Sequence, residues 1–573
     1  MKKFMLLFML LLVISSQVGF SLNLEEEKKE IAETIFINGK IYTVENQQPW
    51  AEAVAISKGK IIYVGNNKCV YSYKGNKTKV IDLKGKMMLP GFIDNHLHAT
   101  SLVSFLFSVN LQGADTLEEY VQRVETYYEQ HPDAAAIQGG GWSNTIFPST
   151  GPNKEALDAV VKDLPVALHS EDFHSTWVNS KALELAGITK DTPNPEGGVI
   201  ERNADGEPSG TLRETAQNLV LRHLPSPSIQ QYQEAFRYFQ DEANKNGYTQ
   251  VNQIIGGELE KIVQAVTTLE KEQALSIRHN LSFIVSPNQG ESLIPYLKEQ
   301  RQNLQGPLVK MKAAKLFMDG VVEGETAYLH EPYRNRPDYR GIPIWDKQAY
   351  MNIIQALDKE KFQIHIHSIG DAATTETLDA LAHAQHINGK RDSRHEITHL
   401  QLVRESDIKR FKTLGVVGVP QPSWFVKDSY YDQAVKLLGE ERANKQFPMK
   451  SFFNEGVKIA SSSDYPITSG LYFSPVTAIQ IGITRSDIGK TNPEDVLNPK
   501  ERVNLKDMIE SYTINGAYAN FSEHETGSIK VGKKADLVVL NKNLFEVPEH
   551  NIYKTRILLT LLEGKEIYRH KDL

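Results

Sequence analysis

Short apolar runs alternate with helical stretches through the middle of this 573-residue chain, and this rhythm limits its folds more than any other feature. The runs occupy residues 133–138, 165–169, 248–252, 312–317, 363–367, 415–419 and 458–461. Strands separated by helix-length segments pair in parallel, so the pattern predicts an α/β fold. Periodicity alone leaves open whether the sheet is open and doubly wound or closed into a barrel.

Both ends of the chain show the pattern of short β-strands. Runs rich in β-branched and apolar residues occur at 34–44, 51–56, 61–65, 527–540 and 557–567. The dipeptides Asn38-Gly39 and Lys58-Gly59 interrupt the N-terminal runs and are typical of hairpin turns. Because the termini of a domain are often close together, we expect residues 30–88 and 522–573 to form one small β-sandwich beside a central domain at 89–521.

The stretch at 101–244 is too long for one strand–helix unit. We therefore expect an insertion there, after the first strand of the central domain. The insertion would include the glycine-rich segments at 139–142 and 196–198.

The first residues have the pattern of a secretory signal peptide. Lys2 and Lys3 precede an apolar run at 4–14, and small residues follow at 19–21. The run is short for a membrane span, so we expect residues 1–21 to be cleaved and the protein to be exported, to the periplasm or the medium. An uncleaved segment that tethers the chain is the alternative.

The composition favours a small-molecule partner. With 64 Lys and Arg against 71 Asp and Glu, the net charge is -7, which argues against a nucleic-acid binder. No later segment has the apolar length of a membrane span, so no membrane contact is expected after signal cleavage. The single Cys69 means that an exported fold must be stable without a disulfide. Homodimer formation is left open.

The segment 89–98, Leu-Pro-Gly-Phe-Ile-Asp-Asn-His-Leu-His, is the most informative for chemistry. Side chains alternate along a strand, so Asp94, His96 and His98 lie on the same side. Two imidazoles and a carboxylate at one strand end suit a divalent metal. A pair of core or surface histidines is the alternative for this motif taken alone.

Further residues of metal-binding types stand at or near the ends of later runs. They are Lys315, His367, His399 and Asp464. In parallel α/β folds the carboxyl ends of the strands meet, so residues far apart in sequence can reach one point. His365 competes with His367, because residues two apart on a strand face the same side.

Short motifs follow one another along nearly the whole mature chain. They lie at 89–98, 140–142, 174–180, 206–210, 315–320, 367–371, 394–399, 463–466 and 532–540. In these motifs the chain resembles the amidohydrolase superfamily, and more closely its YtcJ-like members, amidohydrolase family 3. Two segments depart from the family pattern. Glu396-Ile-Thr-His399 stands where members often have Arg-Ile-Glu-His, and three serines at 461–463 precede Asp464.

The resemblance implies a distorted (β/α)8, TIM-like barrel with an inserted segment after the first strand, plus a β-sandwich from the N- and C-terminal segments. It implies a metal centre with six ligands, His96, His98, Lys315, His367, His399 and Asp464. It selects His367 over His365, which is left to packing or to support of a ligand. In relatives the lysine is carboxylated on its amine and bridges two ions; the alternative is an ordinary lysine that pairs with Asp319.

The resemblance also suggests that Trp142 and His174 line the substrate pocket, with helix and loop packing as the alternative. Asp319 is expected to contact the substrate as well. The expected reaction is the attack of a metal-activated water on an amide-type C–N bond of a small molecule, not on a peptide bond of a protein. Asp464 is the expected proton carrier. The alternatives are an ester, lactone or phosphoester hydrolase, or a secreted binding protein without catalysis.

The expected cofactor is one or two divalent transition-metal ions. Imidazole and carboxylate ligands accept several such ions, with zinc expected and Mn, Fe, Co or Ni as alternatives.

Overall fold

A computed structural model describes residues 30–573, so the predicted signal peptide at 1–21 lies outside the described residues. None of the helices between residues 30 and 573 is long and apolar enough to cross a membrane.

The N-terminal part is made mostly of strands. Its elements are β1 (Ala32–Ile37), β2 (Lys40–Tyr42), β3 (Trp50–Ala51), β4 (Ala53–Ser57), β5 (Lys60–Gly65), α1 (Asn67–Val70), β6 (Lys74–Asp82) and β7 (Met87–Pro90). Strands β5, β4, β1 and β6 form one sheet in that order. The predicted hairpin at Lys58-Gly59 is confirmed, because β4 and β5 pair in antiparallel fashion around it.

The predicted hairpin at Asn38-Gly39 is wrong. Strand β1 pairs with β4 and β6, whereas β2 pairs with β3 and β7 in another sheet. The dipeptide is the point where the chain passes from one sheet to the other. A side chain at Gly39 would lie 2.6 Å from a methyl group of Leu83, so the close approach of the two sheets there favours glycine.

A separate sheet follows the strand β8 (Phe92–Leu97). Its region contains α2 (Val103–Leu106), β9 (Val109–Asn110), α3 (Leu117–Gln130), β10 (Ile137–Trp142), α4 (Lys154–Asp158), β11 (Val166–Ser170), β12 (Ser175–Val178), α5 (Ser180–Ala186), β13 (Gly198–Arg202), β14 (Pro208–Glu214) and α6 (Asn218–Leu221). The strand order is β13-β14-β12-β11-β10-β9, with both parallel and antiparallel pairs. The runs at 133–138 and 165–169, first interpreted as units of the main parallel sheet, therefore contribute to this sheet instead.

The central part alternates strands and helices. Its elements are α7 (Ile229–Lys245), β15 (Tyr248–Ile255), α8 (Leu259–Lys271), β16 (Arg278–Ile284), α9 (Ile294–Asn303), β17 (Val309–Phe317), α10 (Lys347–Lys359), β18 (Gln363–Ser368), α11 (Asp371–Asn388), β19 (Glu396–His399), α12 (Glu405–Leu414), β20 (Val417–Val419), α13 (Ser429–Leu438), α14 (Glu440–Ala443), α15 (Met449–Asn454), α16 (Pro475–Thr484), α17 (Leu505–Ser511) and α18 (Ile514–Ala519).

The six strands β15–β20 and the earlier strand β8 form an all-parallel, nearly closed sheet in the order β20-β19-β18-β17-β16-β15-β8. The α/β class with a parallel sheet is confirmed. The segment 458–464 lies between the two edge strands. Its Lys458 carbonyl accepts the Gly418 amide at 3.0 Å, and the Asp464 amide donates to the His96 carbonyl at 2.9 Å.

The C-terminal strands return to the N-terminal ones. They are β21 (Leu537–Leu540), β22 (Ile557–Leu562) and β23 (Lys565–Arg569). Strand β21 pairs with both β22 and β7, which gives a sheet of order β23-β22-β21-β7-β2-β3. Phe36, Met88, Leu537 and Leu559 belong to one buried apolar cluster, so side chains of the two terminal sheets pack together.

Candidate metal centre and active-site cavity

The candidate metal centre lies at the carboxyl ends of the parallel strands. His96 is near the end of β8 and His98 follows it, while Asp464 ends the segment between the edge strands. The Asp464 Oδ1 atom lies 3.3 Å from His96 Nε2 and 3.4 Å from His98 Nε2. Two residues at the end of one strand and a third more than 360 positions later in the chain therefore meet, as the strand-end argument predicted.

His399 and His367 complete the group of imidazoles. His399 Nδ1 lies 3.9 Å from Asp464 Oδ2, and ligand atoms of His96, His399 and Asp464 all lie within 4.8 Å of one another. The rings of His367 and His399 are 4.5 Å apart between centroids. His367 Nε2 lies 3.0 Å from the Gly320 carbonyl and donates to it, which leaves the Nδ1 lone pair free.

His96 is oriented from behind by a second imidazole. Its Nδ1 lies 2.7 Å from His365 Nε2, and His365 Nδ1 in turn contacts the carboxylate of Glu396. Asn252 donates to the same carboxylate at 3.2 Å. A ligand role for His96 Nε2 requires the Nδ1 proton to be donated to His365 and Glu396 to be ionised, which a cation at the centre would favour.

Lys315 points to the same centre from β17. The side chain is fully buried and its Nζ atom has no hydrogen-bond partner. Burial lowers the pKa of Lys315 to about 7, although the nearby Asp464 and Glu396 oppose this. A neutral amine is the form that can be carboxylated, and an ammonium would repel a metal cation.

The centre fits a divalent transition metal, as its unsatisfied atoms show. A buried polar atom without a partner costs about 1–3 kcal/mol, so several in one place need an explanation. Within residues 30–573, four unpartnered buried atoms belong to the predicted ligands: His96 Nε2, Lys315 Nζ, His367 Nδ1 and Asp464 Oδ1. Imidazole and carboxylate donors of this kind match the preferences of Zn, Mn, Fe, Co and Ni.

Burial also sets the protonation of the imidazoles. It lowers the pKa of His96, His367 and His399 well below the usual value, and that of His98 to about 4. Metal ligands must be neutral imidazoles, so the environment already favours the binding form. Burial raises the pKa of Asp464 in the absence of a cation.

Two of the ligands have an unusual backbone. His399 has φ of 74° and Asp464 has φ of 61°, both in the left-handed region that non-glycine residues rarely adopt. Such a conformation costs on the order of 1–3 kcal/mol and persists only where surrounding contacts enforce it. The fold therefore holds these two side chains toward the centre at an energetic cost.

Asp94 supports the centre from outside the ligand cluster. Its Oδ1 accepts the backbone amides of His96 at 3.2 Å and Ser463 at 3.1 Å. Burial raises the pKa of Asp94 to about 7. The carboxylate thus joins the end of β8 to the loop that carries Asp464.

A cavity of about 390 Å³ opens from the metal centre, and His367, His399 and Asp464 form part of its wall. His174, one of the predicted substrate-binding residues, also lines it. Its Nδ1 lies 2.8 Å from Glu214 Oε2. Burial alone would lower the pKa of His174, but the Glu214 carboxylate outweighs it and raises the value to about 9.

The other two predicted substrate-binding residues lie outside the cavity wall. Trp142 is fully buried in the sheet that follows β8, and its indole N–H donates to the Leu168 carbonyl at 2.8 Å. Asp319 is fully buried, and its oxygens accept three backbone amides, those of Tyr328, Ile369 and Gly370. Both positions support packing and loop structure, and the substrate contacts expected for them stay predictions.

The residues that sequence reasoning missed support the ligands. Gln421 accepts the Nδ1 proton of His399 at 2.9 Å, which leaves Nε2 free. Glu214 orients His174, and Glu396 ends the chain of contacts behind His96. Only Glu396 had a signal in the sequence, because it falls in a segment that departs from the family motif.

The chain is similar to known proteins over nearly the whole of its described length. A model of the amidohydrolase family matches residues 79–568. The chain is 28% identical to a putative amidohydrolase, YtcJ, of Bacillus subtilis strain 168, over 93% of this chain and 99% of the relative. It is 25% identical to an N-substituted formamide deformylase of Arthrobacter pascens, over 93% of this chain and 98% of the relative. The fold is also similar to the solved structure of an uncharacterised metal-dependent hydrolase from Pyrococcus horikoshii OT3, with a TM-score of 0.69 and 26% sequence identity. The match covers 90% of this chain and 99% of the Pyrococcus chain.

Proposed function

The chain belongs to the amidohydrolase family and is a metal-dependent hydrolase of C–N bonds; from this premise we propose that it cleaves an amide-type bond of a small molecule. The observation that carries the proposal is a group of four unpartnered buried ligand atoms, on His96, Lys315, His367 and Asp464. Two of these residues, His367 and Asp464, line the cavity. Amide hydrolysis is favoured over the other bonds because one relative is named for removing a formyl group from substituted formamides.

The residues proposed to hold the metal are His96, His98, Lys315, His367, His399 and Asp464. Zinc is the proposed ion, as one or two per chain, with Lys315 carboxylated in the second case. When bound, the ion supplies Lewis-acid polarisation of the scissile carbonyl and lowers the pKa of water.

The protein supplies proton transfer and orientation. Asp464 faces both the ligands and the cavity, so its carboxylate is the group we assign to move a proton to the leaving nitrogen. His174 lines the same cavity and is held by Glu214, which suits it to hydrogen-bond the carbonyl oxygen of the substrate. The indole of Trp424 lies parallel to the His399 ring at 5.4 Å and limits the access of water from that side.

We also propose the wider organisation expected from the sequence. The segment 458–464 would act as the eighth strand of the barrel, the sheet of β9–β14 as the insertion, and the two terminal sheets as the β-sandwich. We propose further that the protein is exported, and that its partner is a small molecule rather than a membrane or a nucleic acid.

The test is hydrolysis by the metal-loaded protein of a panel of N-formyl amines, N-acyl amines, cyclic amides and esters. We expect turnover of at least one amide that disappears with a chelator and returns on addition of Zn²⁺. Turnover of esters alone would exclude the amide assignment. No turnover in the panel by protein that carries its full metal content would contradict the proposal.

A further inference from the structure

The cavity beyond the metal centre has an acidic wall. Five carboxyl groups line it in addition to Asp464, from Glu171, Asp172, Glu323, Asp428 and Asp487. No Lys or Arg lines it, and within residues 30–573 none forms an ion pair with any of the five. The imidazoles of the lining belong to the metal centre or, in His174, are already paired with Glu214. The wall therefore holds more carboxyl groups than the nearby positive charge of His174 can balance.

The carboxyl groups are close enough to affect one another. Burial raises the pKa of Glu323 to about 8, and the neighbouring Asp172 adds to this rise. Burial also raises the pKa of Glu171, with contributions from Asp172 and Asp428. Asp487 has the same effect on Asp428, whose pKa is raised first by burial. The acidic wall thus continues from the inner cavity to Asp428, at the border between the cavity and solvent.

The hydrogen bonds of these groups come from neutral donors. Tyr430 donates to Glu171, and Asn144 donates to Asp172 at 2.9 Å. Neutral donors hold the carboxylates in place without cancelling their charge. The carboxyl groups have no Lys or Arg partner, so a cation in the cavity would favour their ionised form.

Five aromatic side chains form another part of the wall. Trp424, Tyr430, Tyr431, Phe447 and Tyr472 all line the cavity. Aromatic faces attract ammonium and guanidinium groups, and more strongly where water is excluded. At the inner end, Asp464 Oδ1 is buried, unpartnered and part of the same cavity, which marks where the reacting end of a ligand would lie.

We propose that the substrate carries a fixed positive charge, an alkylammonium group, which lies among Glu171, Asp172 and Glu323 while the amide lies at the metal centre. The inference rests on the proposed function for the reacting end. It excludes amides with a free carboxylate or phosphate at the far end, because the wall would repel them. Rejection of an anion would result from like charge rather than from shape.

The first test compares three N-formylalkylamines of equal chain length that end in a trimethylammonium, a tert-butyl or a carboxylate group. The first two have nearly the same shape and differ in charge. We expect kcat/KM of the metal-loaded enzyme to be about tenfold or more higher for the ammonium compound than for the tert-butyl compound, and lowest for the carboxylate. A best rate with the tert-butyl or carboxylate compound would overturn the inference.

A binding measurement separates this inference from the proposed function. Choline and 3,3-dimethylbutan-1-ol are a charged and an uncharged molecule of the same shape, and calorimetry on the metal-loaded protein needs no turnover. Preferential binding of choline, with no hydrolysis of any amide, would support the cationic site and contradict the proposed function. Amide hydrolysis with no preference for choline would support the function and overturn the inference.

A double variant, Glu171→Gln with Glu323→Gln, tests the residues. We expect the ratio of kcat/KM between the ammonium and tert-butyl compounds to fall by about fivefold or more, whereas Glu331→Gln, on a side chain that is 78% exposed, leaves the ratio unchanged. An unchanged ratio in the double variant would overturn the assignment. If the variant does not fold, salt is the substitute: about 0.5 M NaCl should reduce the ratio for the wild-type enzyme, and a salt-independent ratio would contradict the inference.

Discussion

His365 Nε2 lies 2.7 Å from His96 Nδ1, and this contact leaves His96 Nε2 directed at Asp464. The ligand nitrogen of His96 is therefore selected by a residue that is not itself in the ligand cluster. Glu396, on the neighbouring strand, fixes His365 in the same way. The metal centre depends on this buried chain as well as on its own ligands.

The first prediction concerns His365. His365→Phe keeps the ring volume but removes the contact to His96, so we expect metal affinity to fall by about 10- to 100-fold. His365→Gln, whose amide can replace Nε2, should recover part of the loss. A competition titration with a zinc chelator measures the affinity, and His386→Asn, on an exposed side chain, is the control. Unchanged affinity in His365→Phe would refute the orienting role.

The second prediction concerns Asp464. Asp464→Asn keeps the shape and an oxygen ligand but removes the base, so turnover should fall by about 10²- to 10⁴-fold while most of the metal stays bound. Metal analysis and thermal unfolding accompany the rate measurement, and the exposed Asp432→Asn is the control. Activity within about threefold of wild type, with the metal retained, would assign the proton to another group. A binding protein without catalysis would have no rate to lose.

The third prediction concerns the carboxylation of Lys315. After incubation with ¹³C-bicarbonate and Zn²⁺, we expect a carbamate carbon signal in the NMR spectrum of wild type, absent from Lys315→Met. Lys312→Met is the matched control, because Lys312 lies on the same strand and is partly exposed. The Lys315 variant should also hold less metal than the control. A fully metal-loaded wild type without the signal would favour the ordinary lysine.

The fourth prediction is the pH dependence of stability at Asp358. This carboxylate accepts hydrogen bonds from Asn388 at 2.9 Å and from Arg391 at 2.8 Å, and it contacts His395. Burial alone would raise its pKa, but hydrogen bonds, first that of His395, hold the pKa well below its usual range. Because the pKa of Asp358 is lower in the folded than in the unfolded state, its ionised form stabilises the folded protein at pH values above the unfolded-state pKa of about 3.9. This stabilisation is lost as the pH falls below that value toward the folded-state pKa.

Asp358→Asn should therefore lower the free energy of unfolding at pH 7 by on the order of 1–3 kcal/mol, which is seen as a lower midpoint temperature of thermal unfolding. The difference in midpoint between variant and wild type should become smaller as the pH falls below about 4. Thermal unfolding at several pH values measures this. Asp379→Asn, at a half-exposed ion pair with Arg410, should have a smaller effect. A difference that stays constant from pH 7 to pH 3 would contradict the assignment.

The sequence predicted the ligand cluster because strand geometry is regular. His96 and His98 lie on one side of a strand by its period of two, and the strand-end rule brings Asp464 to them. The apolar pattern of the sequence did not predict β16, which begins with Arg278, because polar residues interrupt the apolar run of this buried strand. Arg278 is used there in an ion pair with Asp536 of the C-terminal part, a contact that no local pattern encodes.

What the sequence did not reveal has a common physical cause: contacts between distant parts of the chain decide the structure at these places. Asn38-Gly39 favours a local turn, but whether the strands on either side pair depends on the rest of the sheet. Asp319 stands in a motif beside a ligand, yet its carboxylate is fully used by backbone amides of two loops. The acidic cavity wall combines residues from distant parts of the chain, from Glu171 to Asp487, so it is visible only in three dimensions.

The segment 458–464 both joins the edge strands of the barrel and supplies Asp464. A chain whose sheet has not finished closing therefore cannot offer a complete ligand set. The metal ion would therefore bind only after the strands are paired in register, and hydrolytic activity would appear only in fully folded molecules. Incompletely folded molecules would lack the complete metal site and would hydrolyse no substrate.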